Sequence, residues 1–83
     1  MVKTKGRLLD YESDNIIEIT PNYKEKFKYK FTIRDANNNN IVFYYKPEDL
    51  SLVKFYRKTD TFLEEASFNS IKVGDQIENY RSL

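Results

Sequence analysis

The chain has no cysteine and no histidine. Disulfide staples, thiolate metal ligands, thiol nucleophiles and any triad that uses imidazole as its base are therefore excluded. Tryptophan is absent too, so an interface anchor has to be Tyr, Phe or Arg. Gly6 and Gly74 are the only glycines, too few for a glycine-rich phosphate loop. No apolar run approaches the roughly 18 residues of a membrane span, so no membrane insertion is expected. The opening Met1-Val2-Lys3-Thr4-Lys5-Gly6-Arg7 lacks the apolar stretch of a secretory signal, and the expected location is the cytoplasm. A length of 83 residues suits one small domain with a thin core, so 1–83 reads as a single unit. Paired catalytic domains, or a nucleotide-binding sheet with several crossover helices, do not fit.

What is present favours strands. Ile, Val and Thr supply 16 residues against 2 Ala, and Phe and Tyr supply 13. A hydrophobic share of 40% argues against a wholly disordered chain. Thr4 to Tyr11 reads as a first strand, with Gly6 marking a bulge or a close backbone approach. Asp10 to Asn15 reads as a polar turn and Ile16 to Thr20 as a second strand, with Pro21 restricting Thr20 to an extended conformation. The clearest pattern follows: Phe27, Tyr29, Phe31 and Ile33 alternate with Lys26, Lys28, Lys30, Thr32 and Arg34. Period two over nine residues predicts a half-buried strand, rings inward and cations outward. Asp35 to Asn40 reads as a hairpin loop, since Asn tolerates left-handed backbone and bonds to its own chain.

Ile41 to Lys46, stopped by Pro47, is a fourth strand and Ser51 to Lys58 a fifth. Thr61 and Glu64 match a capping box, so Phe62 to Ala66 reads as one short helical turn or, alternatively, a hairpin. Gly74-Asp75 is a turn before a last strand, Gln76 to Tyr80. The expected core is Leu8, Ile17, Ile19, Phe27, Tyr29, Phe31, Ile33, Val42, Tyr44, Val53, Phe55, Phe68, Ile71, Val73 and Ile77. Short strands in a small chain leave exposed edges, and barrel closure is the simplest remedy. The expected fold is therefore all-β: a small antiparallel barrel of five to six strands with at most one short helical turn. An open twisted sheet, or a dimer that pairs edges, stands beside it.

Charge is balanced overall, 14 basic against 13 acidic residues, yet it is segregated. Lys24, Lys26, Lys28, Lys30 and Arg34 crowd one stretch with Glu25 as its single acid. Lysines two apart on a strand span roughly 13 Å over three positions, which suits contact with a phosphate backbone. Binding a single strand also needs exposed rings beside the cations. Tyr23, Phe43, Tyr45, Tyr56 and Tyr80 are the candidates. With Val42 and Tyr44 in the core, Phe43 and Tyr45 would stand outward in register. The plainer reading is that lysines on an outer face provide solvation and edge protection.

Acidic sets, Asp10 with Glu12 and Asp14, Glu48-Asp49 and Glu64-Glu65, read as solvated turn acids, because neither a calcium-loop spacing nor room for a two-carboxylate cleft is present. No catalytic residue, cofactor or metal site is expected, and the chain is expected not to be an enzyme.

The segment Ser67 to Glu78, through Ile71, Lys72, Val73, Gly74, Asp75 and Ile77, resembles the closing phrase of small bacterial β-barrel domains of the oligonucleotide/oligosaccharide-binding (OB) type. The resemblance implies an OB-like barrel, and such domains commonly bind single-stranded nucleic acid, sugars or proteins. The expected function is a non-catalytic binding module for single-stranded nucleic acid, weak and indifferent to sequence. Lys26, Lys28, Lys30 and Arg34 would touch phosphates; Phe43, Tyr45 and Tyr56 would stack. The alternative is a protein-interaction or assembly module, a homodimer joined through strand edges or surplus aromatics, with no nucleic-acid role.

Overall fold

The computed structural model describes residues 4–19 and 24–81. Expectations that fall on Pro21 and Tyr23, and on the side chain of Ile19, lie outside the described residues. Six strands form one sheet: β1 (Thr4–Ile19), β2 (Lys24–Asp35), β3 (Asn40–Tyr45), β4 (Val53–Lys58), β5 (Leu63–Ala66) and β6 (Gln76–Asn79), in the order β3-β2-β1-β6-β4-β5. Every pairing is antiparallel. Two 3-10 segments, Pro47–Leu52 and Phe68–Ser70, complete the regular structure.

The mainly β content agrees with the sequence; the barrel does not. β3 and β5 end the sheet on opposite sides and no ladder joins them, so the sheet is open. Side chains from strands that are not neighbours nonetheless meet across it. Phe31 on β2 and Phe55 on β4 bring their rings within 5.6 Å, and the Tyr45 hydroxyl on β3 donates to Asn79 Oδ1 on β6. The hollow is filled from the side. Phe68 sets its ring edge-on to Tyr11, Tyr29 and Phe31, and Leu50 and Ile71 pack on the same core. With those side chains plugging the mouth, the core is covered without the edges meeting. The OB resemblance falls with the barrel: its closing turn is present, but the closed architecture it implied is not.

The core consists of Leu8, Phe31, Ile33, Phe43, Tyr45, Val53, Phe55 and Ile77. On β3 this inverts the expected faces. Phe43 and Tyr45 are 3% and 1% exposed, whereas Val42 is 44% exposed. Register explains the inversion: Phe43 lies directly across from Phe31, and Tyr45 from Tyr29, so they share the inward face of β2. The hairpin loop fixes that register. Asp35 Oδ1 accepts the N–H groups of Asn37 and Asn39, each at 2.9 Å, and Asn38 takes the left-handed conformation at φ 64°.

Other elements also depart from expectation. The polar stretch Asp10 to Asn15 does not reverse the chain: β1 runs through it, with register shifts between Leu8 and Asp10 and between Ser13 and Ile16. These bulges absorb the extra residues and re-aim the side chains beyond them, leaving Ile17 44% exposed. Ser51 and Leu52 belong to the 3-10 segment, and β4 begins only at Val53. Leu63–Ala66 is a strand, the second of the two readings for that stretch. Val73, expected inside, is 68% exposed on the turn before β6.

Candidate nucleic-acid interface

The stripe begins with the alternation of β2. Lys26 and Lys28 are exposed, Lys30 is half-buried and Arg34 is exposed. Across the pairings, Lys26 faces Ile17, Lys30 faces Glu12 on one side and Tyr44 on the other, and Arg34 faces Arg7 and Asn40. Four ion pairs occur among the described residues: Lys5–Glu78, Lys46–Glu25, Arg57–Asp75 and Arg81–Asp49. None of them uses the four cations of the stripe.

The rings are differently placed. Phe43 and Tyr45 are core residues and unavailable for stacking. Tyr45 is held from two sides, its hydroxyl bonding Asn79 and the Arg81 guanidinium lying 4.3 Å over its ring, and burial pushes its phenol well above the ordinary range. Tyr56 is half-buried opposite Gln76 and Glu65. It lies three strands from the stripe, about 14 Å at ordinary strand spacing. Tyr80 is half-buried and donates to Glu78 Oε1 at 3.1 Å, with Lys54 Nζ 6.0 Å from its ring.

Two rings that the sequence reading put in the core take the place of those lost. Tyr44 is half-buried beside Lys30, and Phe27 packs against it with ring centroids 5.6 Å apart. Lys46 Nζ lies 5.8 Å from the Phe27 ring centroid and pairs with Glu25 at 3.3 Å. A cation of the stripe and a ring therefore do meet, at Lys30 and Tyr44, with Phe27 against Tyr44 and Lys46 over Phe27. The available signal was the loop: with its register, the inward rings of β2 make Tyr44 outward.

The acidic sets are mostly structural or solvated. Asp49 accepts the Lys46 N–H at 3.0 Å and pairs with Arg81 at 3.7 Å. Asp10, Glu12, Asp14, Glu64 and Glu65 are exposed. Among the described residues no three acidic side chains converge as metal ligands would, and no helix is long and apolar enough to cross a membrane. No family model, curated protein or solved structure matches the chain.

Proposed function

We propose that the chain is a non-catalytic binding module, acting in the cytoplasm, whose outer sheet face holds single-stranded nucleic acid weakly and without sequence preference. The observation that supports this reading is the pairing of Lys30 with Tyr44, a cation directly beside a half-buried ring, on a face whose other lysines, Lys26 and Lys28, lack ion-pair partners among the described residues. Phosphates meet the lysines and a base stacks on Tyr44, the two ingredients of sequence-tolerant single-strand recognition. Tyr56 is too distant to share that base and at most meets a neighbouring one.

A salt titration with a fluorescent oligonucleotide tests the proposal. Three or four phosphate contacts give a log–log slope of about −2 to −3. Lys28→Glu and Tyr44→Ala should each weaken binding several-fold. No binding at low salt overturns the reading.

One observation favours assembly instead. β3 is an edge strand of six residues, Asn40 to Tyr45, with no charge and no proline, although its Tyr44 carbonyl already accepts Arg81 Nη1 at 2.7 Å. Such an edge is a template for pairing with a second copy. Sedimentation separates this reading from the first: a 10.0 kDa species at tens of micromolar overturns assembly.

A further inference from the structure

We propose that a concavity beside the start of β1 is a binding site for a compact, multiply charged phosphate anion of the pyrophosphate class. Its volume is about 680 Å³, and Lys5, Arg7, Arg34 and Lys58 stand on its walls. Asp35 is the single carboxylate residue of that lining, and its Oδ1 is already engaged by two N–H groups of its own turn. Four cations against one committed carboxylate suit an anion that carries several charges.

Strand geometry assembles the charges. Lys5 and Arg7 flank Gly6, so alternation turns both to the outer face. Pairing then sets Arg7 directly across from Arg34 on β2 and from Gln76 on β6. Like charges opposed in this way destabilise a strand pair. Neither arginine, nor Lys58, has an ion-pair partner among the described residues, and Lys5 reaches Glu78 only at 3.8 Å. An anion seated between the two guanidiniums turns their repulsion into attraction, because each planar fork offers parallel N–H donors to phosphate oxygens.

Two glycines border the concavity. A Cβ on Gly6 would stand 2.5 Å from the Arg34 carbonyl oxygen, so only glycine lets β1 and β2 approach this closely beside the arginine pair. Gly74 adopts φ 99°, and the space where its side chain would begin is empty. The volume lies within the range of small-molecule sites, on the order of 300–1,000 Å³. Arg34 is the one residue shared with the lysine stripe, so the site goes beyond the polymer interface and stands or falls apart from it.

Titration of isotope-labelled protein with pyrophosphate, and separately with sulfate, followed by amide NMR, tests the site. The expected result is saturable shifts at Gly6, Arg7, Arg34 and Gly74, with pyrophosphate bound at least about tenfold more tightly than sulfate. Arg7→Gln and Arg34→Gln should each weaken binding about tenfold, the scale of one charge-assisted hydrogen bond. Each should also leave the ligand-free melting temperature unchanged or raised, because the opposed charges are relieved. Lys28→Glu should weaken oligonucleotide binding several-fold and spare pyrophosphate. Pyrophosphate binding without oligonucleotide binding therefore supports the site while ending the polymer reading. Shifts spread equally over Lys26, Lys28 and Lys30, equal affinity for sulfate, or wild-type affinity in both arginine variants would overturn the site.

Discussion

At the scale of single residues, two buried polar groups tie the sheet together. Asp75 receives Arg57 Nε and Nη2 at 3.1 and 3.0 Å and the Lys72 N–H at 2.8 Å, while Arg57 also donates to the Ser70 carbonyl. This binds the turn before β6 to β4. Burial pushes the Asp75 carboxyl up, but the hydrogen bonds from Arg57 and Lys72 outweigh it and hold the group below its ordinary value of 3.8. A carboxylate depressed in the folded state stabilises fully above its unfolded value, and that contribution fades as pH falls through the folded one. Asp75→Asn should therefore melt lower than wild type at neutral pH, with the gap narrowing below about pH 4 in thermal melts across a pH series. Tyr45 offers a second test. Its hydroxyl and the Arg81 N–H both donate to Asn79 Oδ1. Tyr45→Phe removes one of these donors and should cost about 1–2 kcal/mol in chemical denaturation.

At the scale of elements, β2 was legible and β3 was not, for the same physical reason. β2 alternates rings with cations, so only one face suits a core. Ile41-Val42-Phe43-Tyr44-Tyr45 has no polar face, so its composition alone leaves the side undecided. The decision comes from register, because a slip of one residue exchanges the faces. Substitution makes the difference measurable. Phe43→Ala should cost about 3–5 kcal/mol, much of the stability of so small a domain, whereas Val42→Lys on the exposed face should cost less than about 0.5 kcal/mol. Equal losses in urea melts would contradict the register. β1 carried a different ambiguity. Asp10 to Asn15 has the composition of a turn, yet polar residues serve a bulge as well, and nothing local separates the two. The lysines of the candidate interface were readable from their spacing. Its rings depended on the register of β3 and were not.

At the scale of the whole molecule, the described residues extend over 48 × 28 × 22 Å, and the long axis reflects unequal strand lengths. β1 meets β6 only through Thr4–Arg7, and β2 meets β3 only from Tyr29 to Arg34. The stretches Ile16–Ile19 and Lys24–Phe27 therefore pair only with each other. A two-stranded ribbon is marginally stable by itself. Hydrogen exchange should find the amides of Ile17 and Lys26 exchanging orders of magnitude faster than those of Phe31 and Ile33, a gradient expected where local opening needs little free energy. Uniform protection would mean that the ribbon is supported by a further surface. The barrel was the expectation least open to sequence reasoning. Exposed edges argue for closure, but a core can also be covered from the side, as Phe68, Leu50 and Ile71 cover it here.

The pairing of Thr4 with Asn79 places the opening and closing strands side by side. The order of elements along the polypeptide is thus separable from the sheet they build. A circular permutant of the described sheet that joins the end of β6 to the start of β1 through a short flexible bridge and begins within the asparagine loop, between Asn38 and Asn39, should keep every ladder and lose only the tight β2–β3 connection. Its loss of cooperativity would then measure how much that connection alone contributes to holding β3 in register.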